Sequence, residues 1–264
     1  MRTAFLPALI HVLAFSAFAA SYCNPRDLVG VYGFQLAGET SISGEAKPAA
    51  SVGRVAFDED GGVNGTSSVK FAGLLLGNPV SGTYEAHRDC TVSWSLEDDS
   101  GAYQHFSGVA TPGGRRVSFR QTDPGGVQDG LLVRTGTEEC RTSDLKEEYA
   151  FTLSGDMIPM TEGSARSAVS VKGVMAQDSH HDFHLTVEGK TPYTTDVAIG
   201  VESDCTVTME LAFPMADDNS PVPINVRGVL VDRGREILAI QTDPGAVVSA
   251  RFTVPGKPGS PGSN

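Results

Sequence analysis

Apolar and polar residues alternate along most of this chain, with turn-forming residues breaking the alternation about every 8–12 positions. Cys90, Val92, Trp94 and Leu96 fall on one side of an extended segment, and Thr91, Ser93, Ser95 and Glu97 fall on the other. Tyr32, Phe34 and Leu36 form a second apolar row of the same period. This period of two predicts strands near 28–37, 51–58, 66–75, 80–87, 90–97, 103–111, 115–122 and 127–134. The breaks between them carry turn chemistry, among them Asp60-Gly61-Gly62, Gly77-Asn78-Pro79, Pro112-Gly113-Gly114 and Asp123-Pro124-Gly125. No helical apolar period is sustained in this region, so the pattern predicts an all-β protein.

The same pattern then returns. Tyr32-Gly33-Phe34-Gln35-Leu36 reappears as Tyr149-Ala150-Phe151-Thr152-Leu153, Asp89-Cys90-Thr91-Val92 as Asp204-Cys205-Thr206-Val207, and Gln121-Thr122-Asp123-Pro124-Gly125 as Gln241-Thr242-Asp243-Pro244-Gly245. The order is kept, so the repeat is a whole folding unit rather than a short solenoid period. Eight short strands per unit suit an antiparallel meander closed into a barrel, which removes both exposed edges. The expected architecture is a tandem duplication of an eight-stranded barrel, and a pair of β-sandwiches is the alternative. The expected organisation is a signal peptide over 1–19, barrel units over 20–137 and 138–254, and a disordered Pro/Gly/Ser tail over 255–264.

The start of the chain changes the cellular picture. Arg2 precedes an apolar run from Ala4 to Phe18 that ends in Ala17-Phe18-Ala19, the small-residue pattern of a cleaved secretory signal. The run is short for a membrane span, and secretion is expected. The full chain carries a net charge of −12, which disfavours nucleic acid and anionic membranes as partners. Four cysteines in an exported chain imply disulfides. Cys23 with Cys90 and Cys140 with Cys205 gives each unit its own bridge, and Cys23 with Cys140 and Cys90 with Cys205 is the other symmetric pairing.

Candidate chemistry is sparse. No nucleophile elbow, zinc-protease helix motif, Cys-x-x-Cys or phosphate loop is present, and no cofactor or resident metal is expected. His180, Asp182 and His184 would share a strand face, which permits metal ligation, but the matching place in the first unit is a turn and a polar loop is the simpler expectation. Asp58-Glu59-Asp60 similarly reads as a solvated acidic turn rather than a calcium site. Gln121 and Gln241 alternate with core residues, so each buried amide needs a partner in the backbone or in a ligand. Trp94, the only tryptophan, points inward beside Tyr84, where it fills the core or walls a pocket. In the seventh strand of the second unit the outer face carries Leu238 and Ile240 where the first has Ser118 and Arg120, so this face should be covered by the first unit or by another chain.

The Tyr-x-Phe-x-Leu-x-Gly, Asp-Cys-Thr-Val and Gln-Thr-Asp-Pro-Gly segments resemble those of a group of exported proteins, mostly from soil microbes, that carry one such unit. In strand count and topology each unit is also similar to calycin-like barrels, the lipocalins and allene-oxide-cyclase-like proteins. Both resemblances imply a scaffold and supply no functional residue. The leading expectation is a binding module that holds a small apolar molecule, with Trp94, Gln121 and Gln241 at the site. The alternatives are a cofactor-free barrel cyclase or isomerase, which requires an inward carboxylate or histidine, and a surface interaction protein acting through Leu238 and Ile240.

Overall fold

A computed structural model describes residues 23–42, 45–158, 165–189, 192–214 and 221–256. The expected leader over 1–19 lies outside these residues, as does the expected tail beyond residue 256. Strands β1 (Gly30–Ile42), β2 (Glu45–Phe57), β3 (Gly62–Phe71), β4 (Leu74–Ala86), β5 (Thr91–Asp98), β6 (Tyr103–Ala110), β7 (Arg116–Gln121) and β8 (Val127–Arg134) form one closed antiparallel barrel. Strands β9 (Glu148–Met157), β10 (Ser167–Gln177), β11 (Phe183–Val187), β12 (Tyr193–Val201), β13 (Thr206–Pro214), β14 (Pro221–Val231), β15 (Glu236–Gln241) and β16 (Ala246–Thr253) form a second. First and last strands seal each barrel, with Phe34 opposite Leu132 and Phe151 opposite Phe252. This closure excludes the sandwich alternative. No helix among the described residues is long and apolar enough to cross a membrane.

Two boundaries differ from the sequence pattern. The β1–β2 hairpin runs to Ile42 and restarts at Glu45, because residues rich in Gly, Pro and polar groups still pair from Gly38↔Ala49 through Ile42↔Glu45. Gly77-Asn78-Pro79 lies inside β4 rather than at a break. The β5 ladder ends at Asp98 opposite Val80, so Pro79 sits past the last β5 partner, where its missing N–H costs nothing.

One end of each barrel is shut by the chain that enters it. Short 3₁₀ segments at Pro25–Leu28 and Thr142–Asp144 cross that end, and disulfides Cys23–Cys90 and Cys140–Cys205 pin them to the β4–β5 and β12–β13 turns. Cys90 and Cys205 both sit in the left-handed region, at φ 71° and 69°. Asp89 Oδ1 supports this turn by accepting from Thr91 N at 3.0 Å, as Asp204 Oδ1 accepts from Thr206 N at 2.8 Å. The repeated Asp-Cys-Thr segment is therefore a disulfide-bearing turn, and each bridge stabilises its barrel by about 2–4 kcal/mol. Two disulfides are what a non-cytoplasmic, oxidising setting produces.

The barrels pack side by side. Leu238 and Ile240 are 0% exposed and belong to an apolar cluster that also takes Ala50, Val52 and Val133 from the first barrel. The covering surface is thus the first unit of the same chain. Gln35 reaches across, its Nε2 donating to Ala239 O at 2.6 Å and Ala250 O at 2.8 Å. Glu236, equally buried, is paired with Arg116 of the first barrel and with Arg251 Nε at 2.5 Å. Gly33 permits this approach, because a Cβ there would lie 2.5 Å from Val231 Cγ1. The other lock is Lys70. It is fully buried on β3, and its Nζ donates to Gly73 O at 2.9 Å, Asp243 O at 2.7 Å and Thr242 O at 3.3 Å. Burial pushes its ammonium below the ordinary lysine value, opposed by the charge of Asp243.

Candidate binding site in the first barrel

The end of the first barrel opposite the disulfide is open. Its lips are the β1–β2, β3–β4, β5–β6 and β7–β8 turns, and between them lies a cavity of about 330 Å³. Ser51, Ser67, Gln104, Gln121 and Gln128 bring polar groups to its wall, and Val80 and Leu96 bring apolar ones. Each comes from the inward-facing set of its strand, which is why the side chains converge although they lie on different strands. Leu76 and Tyr103 on the rim are 50% and 57% exposed, so the entrance has an apolar lip.

Below this space the interior is filled. Trp94 stacks on Phe106 at 5.3 Å between ring centroids and meets Phe119 edge-on at 4.8 Å and Phe57 at 6.3 Å. The gap beside it is about 20 Å³, room for one water and no more. Trp94 is thus a core residue, and the expected apolar ligand has no space among the aromatic side chains. Trp94 and Gln121 lie on different levels: the tryptophan lines the small gap, and the glutamine lines the mouth.

Both glutamines have protein partners, and these are side chains rather than backbone. Gln121 Nε2 donates to Asp123 Oδ2 at 3.1 Å, and Gln241 Nε2 to Asp243 Oδ2 at 3.0 Å. Each aspartate then grips the adjacent strand. Asp123 accepts from His105 N at 2.8 Å and contacts His105 Nδ1 at 2.7 Å, while Asp243 accepts from Asn225 N at 2.8 Å and Asn225 Nδ2 at 2.7 Å. Burial raises the Asp123 carboxyl, but the hydrogen bonds from His105 and Gln121 outweigh it and hold the group below the usual carboxylate range. The repeated Gln-Thr-Asp-Pro-Gly segment is a clip as well as a turn.

Four wall residues were not singled out from the sequence: Ser51, Ser67, Gln104 and Gln128. Their side chains make no hydrogen bond to another described residue. At the equivalent register positions the second barrel has Val171 opposite Leu153, Val187 opposite Gly173, Ile224 opposite Leu211 and Val248 opposite Gly155. In the first barrel the same partners are Leu36, Gly53, Leu96 and Gly38. Polar groups in one copy thus face apolar groups in the other at four places around one mouth. Aligning the copies along their inward positions would have revealed this.

The histidine cluster folds as a turn. Asp178 Oδ1 accepts from His180 N at 2.8 Å and Asp182 N at 3.1 Å, as Asp58 Oδ1 accepts from Asp60 N at 3.0 Å and Gly62 N at 2.6 Å. His184 lies between Asp178 and Asp196, whose hydrogen bonds hold its pKa above the ordinary value, that to Asp178 being the larger influence. No group of three or more His, Cys, Asp or Glu side chains among the described residues is placed to hold a metal ion.

No family model and no curated protein matches the chain. Among solved structures, a protein of unknown function from Nostoc punctiforme in the DUF3598 family is 12% identical with a TM-score of 0.25, over 86% of this chain and 96% of that one. A porin-like protein from Bacteroides uniformis is 10% identical with a TM-score of 0.18, over 84% of this chain and 97% of that one. Similarity at this level leaves the site to be read from its own geometry.

Proposed function

We propose that this is an exported binding protein whose first barrel holds a small polar molecule, rich in hydroxyl groups, at its open mouth. The observation that carries this reading is the set of unpaired polar side chains, Ser51, Ser67, Gln104 and Gln128, around a cavity of about 330 Å³. That volume falls in the roughly 300–1,000 Å³ range of small-molecule sites. Polar groups facing a cavity without protein partners favour a ligand that hydrogen-bonds to them, which an apolar molecule does not. Gln121 forms part of the wall, Trp94 the floor beneath it, and the second barrel, with Gln241 in its own clip, braces the first. The resemblance to lipocalin-type barrels belongs with this reading, as do the leader over 1–19 and a division between the units near residues 137 and 138. A cyclase reading would rely on Asp98 or Asp123, but the oxygens of both already accept hydrogen bonds from the wall.

Trp94 fluorescence provides the test, because it is the only tryptophan and lies just below the cavity. Titration with a panel of neutral mono- and disaccharides is expected to give saturable quenching or enhancement by at least one member. Ser51→Val with Gln104→Ile, which installs the second barrel's side chains, should weaken that response about tenfold or more, the equivalent of one lost hydrogen bond or two. A flat response to the whole panel, or one indifferent to the double substitution, would refute the proposal.

A further inference from the structure

A second space lies outside the first barrel, in the groove where the two barrels meet. It measures about 350 Å³. The outer faces of β2, β3 and β4 form one side with Arg54, Thr66 and Ser68, and the outer faces of β13 and β14 form the other with Thr206 and Arg227. Two arginines in one groove are notable in a chain with a net charge of −12. Neither makes an ion pair with a carboxylate among the described residues.

The arginines are also peculiar to their own copies. Arg54 pairs with Gly33 in β1, and its counterpart, opposite Ala150 in β9, is Val174. Arg227 pairs with Thr208, and its counterpart, opposite Ser93, is Ser107. Each departs from the repeat in a different unit, yet the packing of the barrels brings both to one place. Arg54 is only partly engaged. One Nη2 donor goes to Glu138 O at 3.2 Å, while its Nε is buried with no hydrogen-bond partner, the one such side-chain atom among the described residues. A buried guanidinium donor without a partner is uncommon in a folded protein.

We propose that this groove binds an oxyanion, the carboxylate or phosphate group of a small molecule, between Arg54 and Arg227. The planar guanidinium fork matches either group in a two-point hydrogen bond. Thr66, Ser68 and Thr206 supply hydroxyls for the remaining oxygens. Because the arginines come from different barrels, the bound anion ties the two units together. The site is separate from the mouth and stands whether or not the mouth binds a sugar.

The full chain is titrated with phosphate, sulfate and acetate at ionic strength matched with sodium chloride, following amide shifts of Thr66, Ser68 and Gly228 by NMR. Saturable shifts with one of these anions, absent with chloride, are expected. A response confined to acetate assigns a carboxylate, and one confined to phosphate and sulfate assigns a tetrahedral anion. Arg227→Gln, a substitution at an exposed position that leaves the core intact, should weaken binding about tenfold or more, and Arg54→Gln with Arg227→Gln should abolish it. Shifts that track ionic strength alone, or that persist unchanged in Arg227→Gln, overturn the proposal.

Discussion

Asp123 joins three parts of the first barrel at once: its own turn, the buried amide of Gln121 and the backbone N–H of His105 on the neighbouring strand. Without the carboxylate, both donors lose their acceptor, at about 1–3 kcal/mol for a buried unsatisfied group. Asp123→Ala is therefore expected to lower stability by about 1–3 kcal/mol in urea unfolding. A midpoint unchanged from the wild type would show that the clip carries no weight. The burial of Gln121 was legible, because it alternates with Val117 and Phe119. Its partner was not. Asp123 lies beyond the strand, and whether its side chain reaches His105 depends on where β6 runs, which no single stretch of sequence contains.

The elements were the most readable level, since a period of two survives any tertiary arrangement. The turns carry information of a different kind. Tyr32 Oη donates to Gly114 O at 2.6 Å, and Tyr149 Oη donates to Gly234 O at 2.6 Å, so the first strand of each unit is tied to the turn that follows its sixth. Gly114 has φ 61°, and a Cβ there would sit 2.2 Å from Asp27 O, while neighbouring Gly113, at φ 80°, has open space around it. Both positions disfavour alanine through backbone strain, but only Gly114 adds a collision with fixed main chain. Gly114→Ala should therefore destabilise the protein by about 1–3 kcal/mol more than Gly113→Ala in thermal unfolding. Equal losses would mean that φ alone, and not the close approach of the 3₁₀ segment, explains the repeated glycine.

At the scale of the molecule, the outward Leu238 and Ile240 announced a covered face, and the structure shows what covers it. The sequence contains no signal for how two similar barrels orient, so it leaves both the same chain and another as covers, and the packing of Ala50, Val52 and Val133 into the second barrel's cluster decides for the same chain. The cation beside Leu238 is Arg251, directly opposite on β16, and it is already held by Glu236, so an added acid would be buried in an apolar cluster in competition for a guanidinium that is taken. Leu238→Asp should cost about 3–5 kcal/mol and separate one unfolding transition into two in calorimetry, leaving the sedimentation of the folded protein unchanged. A shift in sedimentation with a single intact transition would instead place Leu238 between chains.

Lys70 makes the mouth mechanically uneven. Its ammonium fastens the β3–β4 lip to the Thr242–Asp243 turn of the neighbouring barrel, so that lip moves only if the joint between barrels moves. The β5–β6 and β7–β8 lips are hydrogen-bonded within their own barrel, through Asp98 to Asn78 and Asp123 to His105. The result is a cup whose β3–β4 rim segment, and through the Glu39–Arg166 ion pair its β1–β2 segment, is set in a foundation. Substitutions on the two free segments can reshape the opening without loosening the footing, so the duplicated unit gives its twin a fixed base on which the remainder of the rim is free to vary.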